Sequence, residues 1–383
     1  MEIQGVCDPK FAEVREEFER NFSERGDVGA SVSVVVEGET VVDLWGGTAV
    51  PETGAPWQED TITIVMSMTK AATALCAHIL ADRGELDIDK PVAQYWPEFA
   101  ANGKETIPVR MLLNHQAGLP GFRHEIPAGK PYDWDYMTAA IAAEQPFWQP
   151  GRNYAYHSLT FGWLVGEVVR RVSGKSVGTF FREEVAQPLG LDFWIGLPES
   201  EEGRAVALLP YLQAVDSDAP DKELDKAVVS SGVNEGAGWW NTRAAHAAEL
   251  PASGGVTNAR SAARMYAALS LGGTIDGVTL VSPATVARMG RTQSRLESDA
   301  LSGILAPFSL GFMKAREDTG LPDSIFGHSG AGGSMGMTDP RERLAFAYVM
   351  NQMSETERWQ PLAQATYRSL GYRQEQYGIL MRP

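Results

Sequence analysis

The sequence predicts an α+β fold, an α/β sandwich in which an antiparallel sheet is flanked by helices and a mainly helical lobe is inserted into the middle of the chain. Three observations lead there. β-Rich runs stand near both ends of the chain, and a long apolar helix follows the first of them. Between about 87 and 240 the strand signal disappears, and Pro, Trp and Gly punctuate short helical stretches. Sequence-adjacent hairpins favour antiparallel pairing, and strands at both ends imply a sheet built from the two termini.

The elements follow in order. Residues 11–22 are charged and roughly helical in period, so they read as a surface helix. Residues 30–36 and 41–45 are β-rich runs around Glu37-Gly38-Glu39, the pattern of a hairpin. After Ser67 an apolar-periodic helix extends to about Arg83, with Gly84 as its stop signal. Short helices are expected over 136–144, 161–172 and 177–185, and a further one over 261–271. Strand-like runs at 309–313 and 344–349 precede a closing helix over 357–370. These readings divide the chain into a discontinuous sheet domain, 1–86 with 245–383, and a helical domain, 87–244, with the active site expected in the cleft between them.

Composition narrows the function classes. The chain has 383 residues, 44% of them hydrophobic and 21% charged, a globular balance long enough for one large domain or two packed lobes. A formal charge of -16 argues against nucleic acid and against an anionic membrane surface as partners. The charge reads as solubility first, and as a field for cationic substrates only second. Two cysteines, Cys7 and Cys76, make neither a disulfide framework nor a zinc site, and Cys76 reads as a core thiol. No membrane span or export signal is visible, so a cytoplasmic protein is the expectation.

Three stretches carry chemistry. The first is Ser67-Met68-Thr69-Lys70. Residues three apart share a helical face, so the hydroxyl and the amine are neighbours. A serine hydroxyl needs a base to become a nucleophile, and a lysine confined among apolar residues can lose its proton. Alone the pair is weak, because a capping serine followed by a surface lysine gives the same spacing. The second stretch, Tyr154-Ala155-Tyr156-His157-Ser158, follows Pro150-Gly151 and precedes a strong helix. Such a loop can project the Tyr156 phenol into a cleft, where a nearby ammonium would lower its pKa and let it shuttle protons; Tyr154 reads as core. The third is Phe326-Gly327-His328-Ser329-Gly330-Ala331, a strand end running into a glycine-rich turn where backbone approaches a substrate closely. A backbone N–H from this turn and that of Ser67 would form an oxyanion hole, each such donor supplying ~2.7–4 kcal/mol toward the transition state.

Taken together, Ser67-x-x-Lys70, Tyr156-x-Ser158 and His328-Ser329-Gly330 resemble the three motifs of the serine β-lactamase and penicillin-binding-protein superfamily, in its order and at similar separations. Residues 112–119, 148–151 and 251–256 match as well, so the resemblance covers about 30–351. Within the superfamily the chain is most similar to family VIII carboxylesterases, relatives of class C β-lactamases. Ser158 stands where class C enzymes have asparagine, and His328-Ser329-Gly330 where they have Lys-Thr-Gly. The resemblance implies a β-lactamase/transpeptidase-like fold and carboxylic ester hydrolysis through an acyl-enzyme on Ser67. It makes Lys70 and Tyr156 a coupled catalytic pair and gives the oxyanion to the N–H groups of Ser67 and Ala331. His328, Ser329, Gly330 and Ser158 are then expected to bind substrate. No cofactor or metal is expected; the partner is a small-molecule ester. Oligomeric state is open.

Rival readings keep their places. The same machinery serves an amide or β-lactam hydrolase, or an acyltransferase. A catalytically silent scaffold requires loss of a motif residue, and none is lost. Gly332-Gly333-Ser334-Met335-Gly336 fits the G-x-S-x-G elbow of α/β-hydrolases, but that elbow needs a helix directly after it, and a strand is expected instead. His78 is expected to be packed, His115 to brace the cleft, and His124 and His246 to lie at the surface or cleft edge. Trp134, Trp148, Trp239 and Trp240 are candidates for an acyl pocket.

Overall fold

The computed structural model describes residues 2–212, 222–229, 236–294, 307–374 and 380–381. The expected hairpin joins β2 (Gly29–Val36) to β3 (Glu39–Val50). Glu37 and Gly38 both take positive φ, 54° and 89°, the backbone of a two-residue turn whose twist suits the flanking strands. With β1 (Ile3–Cys7), β4 (Met313–Lys314), β5 (Phe326–Ser329), β6 (Met335–Asp339) and β7 (Leu344–Met350), they form a sheet ordered β1-β3-β2-β7-β6-β5-β4. Ala55–Pro56 adds an eighth strand against β3, and every pairing is antiparallel. β2 lies beside β7, with Val34 opposite Phe346, so the two ends of the chain meet at the centre of the sheet.

Burial explains why β7 reads as an unbroken apolar run. All seven of its residues are buried, because helices cover both faces of the sheet. Phe346 and Tyr348 pack with α1 (Ala12–Glu24) and the closing helix Trp359–Ser369, while Ala345, Ala347 and Val349 join the core on the other face. That second core contains α2 (Thr69–Asp82), buried on all sides from Thr69 to Leu80, and the helix Ala259–Ser270. Gly84, at φ 75°, stops α2 where the sequence predicts.

The middle of the chain supplies the helices Trp134–Ala143, Thr160–Ser173 and Val177–Phe181, the last continuing as a π-helical turn, Arg182–Ala186. It is not wholly helical. Phe193–Ile195 and Ala205–Val206 enter a four-stranded sheet with Ile62–Ile64 and Gly255–Thr257. These strands are too short to show alternation in sequence. The strand-like reading of 309–313 is also corrected. Only Met313–Lys314 pairs in the sheet; Ser309 N–H turns back onto the Phe312 carbonyl at 2.8 Å, with Gly311 at φ 89°. Among the described residues no helix is long and apolar enough to cross a membrane.

Candidate active site

Ser67 lies in a single 3-10 turn, Met66–Met68, that runs directly into α2. Met66 holds φ at 48°, a left-handed conformation costly for a residue with a side chain. Two clamps keep it there. Thr69 Oγ1 donates to the Met66 carbonyl (2.6 Å) and accepts from Gly255 N–H (2.8 Å), while Val65 N–H donates to the Gly255 carbonyl (2.9 Å). The turn leaves Ser67 partly exposed and sends Lys70, fully buried, beneath it.

Lys70 Nζ lies 3.0 Å from Ser67 Oγ, 2.6 Å from the Ser158 carbonyl and 3.0 Å from the Ala252 carbonyl. Burial pushes the amine well below its ordinary pKa. A neutral amine has two N–H donors and one lone pair. The two carbonyls can only accept, so they take both donors and aim the lone pair at the serine hydroxyl. This arrangement can draw the proton from Ser67. The Tyr156 ring covers the amine, its centroid 4.8 Å from Nζ, and its phenol oxygen is 3.5 Å from His328 Nε2.

The Tyr156 loop is braced from behind by histidines. His157 N–H donates to His115 Nδ1 (3.1 Å), and Leu119 N–H donates to His157 Nε2 (3.1 Å). His157 Nδ1 donates to the Ala155 carbonyl at 2.7 Å, which fixes its tautomer. Burial lowers the pKa of His157 to about 4 and pushes that of His115 well below the ordinary imidazole value. Adjacent residues therefore diverge, Tyr156 toward the lysine and His157 into the core. His328 Nδ1 donates to the Ser329 carbonyl (2.7 Å), leaving Nε2 with a lone pair toward Tyr156. Burial, and then the neighbouring Lys70, lower His328 to about 3, so the ring is neutral at any ordinary pH.

The glycine turn packs directly against the approach to Ser67. Gly330 N–H donates to the Ser334 carbonyl (2.8 Å), Ser354 N–H to the Gly332 carbonyl (3.1 Å), and Ser334 Oγ to the Val65 carbonyl (2.8 Å). A Cβ on Gly330 would come within 2.2 Å of both Ser334 Oγ and the Val65 oxygen; only glycine permits this approach. Ala331 is exposed at the crest, and among the described residues its N–H has no backbone acceptor. Ser334 is buried and is followed by strand β6, not a helix, so the elbow reading fails.

Several predicted residues lie elsewhere or act differently. Ser158 meets Lys70 through its carbonyl, and Ser329 Oγ points to Met313 Sδ at 3.5 Å. His78 is packed, its Nε2 2.9 Å from the Leu310 carbonyl, and His124 is exposed. His246 is a correction: it is buried, with Nδ1 2.8 Å from Glu202 Oε1. The indole N–H groups of Trp134 and Trp148 donate to Glu167 Oε2 (2.8 Å) and the Asn153 carbonyl (3.1 Å). Trp239 stacks on Tyr132 at 5.1 Å and meets the buried Trp240 edge-on at 4.8 Å.

Two aromatics at the site escaped the sequence reading. Phe308 contacts the rings of His115 (4.7 Å), Tyr156 (5.9 Å) and His328 (6.2 Å) and so fills the space behind the phenol. Tyr211 is carried beside Gly332 by a strap: Leu209 N–H donates to the Asn351 carbonyl (2.7 Å), and Met353 N–H to the Leu209 carbonyl (3.2 Å). Neither sits in a periodic segment, and as isolated aromatics they gave no signal. Among the described residues no three His, Cys, Asp or Glu side chains gather to hold a metal.

The family described as Beta-lactamase matches residues 18–368. The chain is 37% identical over 364 residues to the esterase/beta-lactamase LipL of Mycobacterium tuberculosis, covering 92% of this chain and 83% of that protein. It superposes on the crystal structure of a family VIII carboxylesterase with a TM-score of 0.90 at 40% identity, covering 96% of this chain and 100% of that one. A penicillin-binding protein homolog from Caulobacter crescentus gives a TM-score of 0.90 at 38% identity, with the same coverage.

Proposed function

The chain belongs to the beta-lactamase family, and we propose that it acts there as a serine carboxylesterase on short-to-medium-chain esters, with Ser67 as nucleophile and Lys70 and Tyr156 as its proton-transfer pair. The observation that carries this reading is the coordination of Lys70: two carbonyls occupy its donors and leave Ser67 Oγ opposite the lone pair at 3.0 Å. Ser67 gives its proton to Lys70 as its oxygen bonds to the ester carbonyl carbon. The negative charge moves to the carbonyl oxygen, held by the N–H groups of Ser67 and Ala331. The departing alkoxide takes a proton from Tyr156, which Lys70 replenishes. Water then repeats the cycle against the acyl-enzyme and releases the carboxylic acid. The lysine and tyrosine titrate as one coupled unit.

The third motif supports esters over β-lactams. A β-lactam brings a carboxylate that a cation at this position would hold, and here the position belongs to a neutral His328. Ester substrates lack that carboxylate and lose nothing. A series of p-nitrophenyl esters of increasing acyl length, run beside nitrocefin, tests the assignment. The esters are expected to turn over with a maximum at short-to-medium chains, and nitrocefin kcat/KM is expected to be at least about 10³-fold lower, the order available to a site lacking a substrate's polar partner. Nitrocefin turned over faster than every ester would reverse it.

Ser334→Ala checks the position of the nucleophile. The substitution removes the hydrogen bond to the Val65 carbonyl, at a cost of about 1 kcal/mol in stability. Ester turnover is expected to stay within about tenfold of the parent, since only the seating of the turn changes. A folded but inactive Ser334→Ala protein would revive the hydrolase-elbow reading.

A further inference from the structure

A groove of about 930 Å³ opens at the far ends of β5 and β6, away from the glycine turn. One wall is a single face of the helix Pro283–Met289: Pro283, Val286, Ala287 and the capping Gly290 recur at helical spacing and all line it. Leu271 and Phe326 extend this apolar surface. The charged lining is Lys314 from β4, Arg341 and Arg343 from the turn between β6 and β7, and Asp323.

Two of the three cations are already neutralised. Arg341 pairs with Asp323 at 3.3 Å, and Arg343 pairs with Glu37. Lys314 is different. It is half-buried, and among the described residues its amine has neither an ion pair nor a hydrogen bond, only the Phe326 ring at 5.8 Å. The carboxylates that act on it from a distance are otherwise engaged, Asp323 by Arg341 and Asp339 by the Tyr367 hydroxyl at 2.8 Å. Burial without a partner pushes the amine's pKa down. A desolvated cation lacking a counter-ion is a standing cost that an incoming anion relieves. The adjoining helix face offers apolar burial to whatever carries that anion, within the usual size range of small-molecule sites.

We propose that this groove is a second binding site, for an amphiphilic carboxylate whose head group pairs with Lys314 and whose apolar tail lies along the Pro283–Gly290 helix face. None of its lining residues belongs to the Ser67 site, so occupancy is independent of the catalytic reading. Both halves of the ligand are required: an anion without a tail leaves the helix face wet, and a tail without an anion leaves Lys314 unpaired.

Calorimetric titration of octanoate into the full chain carrying Ser67→Ala tests it. One saturable event is expected, with acetate and octanol each binding at least about tenfold more weakly. Lys314→Gln removes the charge and Val286→Glu places a like charge on the tail wall; each, added to the same background and shown folded by circular dichroism, is expected to raise the octanoate Kd at least about tenfold. Absence of saturable binding overturns the proposal. So does binding that both groove variants leave unchanged, which would locate octanoate in the catalytic cleft.

Discussion

Ser67→Ala is expected to lower p-nitrophenyl butyrate turnover by at least about 10⁴-fold, a loss of about 5.5 kcal/mol of transition-state stabilisation. The size follows from what remains. Lys70 would still face the cleft, but an amine without a hydroxyl to activate leaves only oxyanion stabilisation and binding, which retain a small residue of catalysis. The two serine hydroxyls of the glycine turn are engaged elsewhere: Ser329 Oγ is turned to Met313 Sδ, and Ser334 Oγ is committed to the Val65 carbonyl. The fold has little at stake. Ser67 is partly exposed, and the clamps on its turn run through Thr69, Gly255 and Val65 rather than through its own side chain. Circular dichroism should therefore be unchanged and the thermal midpoint should move by no more than about 4 °C. A folded Ser67→Ala protein with near-parental turnover would place the nucleophile elsewhere.

The parts of this site that were legible in sequence are those whose chemistry depends on local spacing. Ser67 and Lys70 are one helical turn apart, so their meeting needs no tertiary information. The glycine turn announced itself by composition, and Gly330 is there because any side chain would strike Val65 and Ser334. Tyr156 was reached through its motif, since nothing local brings residue 156 to residue 70. The residues that were missed are held by long-range contacts. Phe308 fills the back of the site from a segment with no periodicity, and Tyr211 is delivered by a strap hydrogen-bonded to residues 351–353. His246, in an alanine-rich stretch expected at the surface or cleft edge, is buried, and its Nδ1 partner Glu202 lies forty-four positions away. The apolar run at 309–313 failed as a strand for the opposite reason: composition fitted, but Gly311 at positive φ allowed a turn that the hydrophobic pattern does not register.

Lys70 separates two versions of the mechanism. If its role is to accept a proton, Lys70→Met and Lys70→Arg should be equally damaging, each lowering kcat by at least about 10³-fold, near the upper range for loss of a general base. Methionine matches the apolar stem in a pocket already lined by the Tyr156 and Phe161 rings, 4.8 and 5.9 Å from Nζ, so that variant should fold. Arginine keeps the charge and the donors but cannot be deprotonated. Retention of activity in Lys70→Arg, with the protein folded, would mean that a fixed cation beside Tyr156 is what matters and that the phenol is the base. The pH profile offers an independent reading. The amine is a base only when unprotonated, so kcat/KM should rise as pH climbs through the Lys70 pKa and fall below it. Burial depresses that pKa from the ordinary lysine value, which places the rising limb below the pH at which a surface lysine would titrate. His157 and His328, held at about 4 and about 3, supply no limb at pH values well above these. Residual activity in Lys70→Met should lack it. A rising limb of unchanged position in that variant would assign the titration to another group and remove Lys70 as the base.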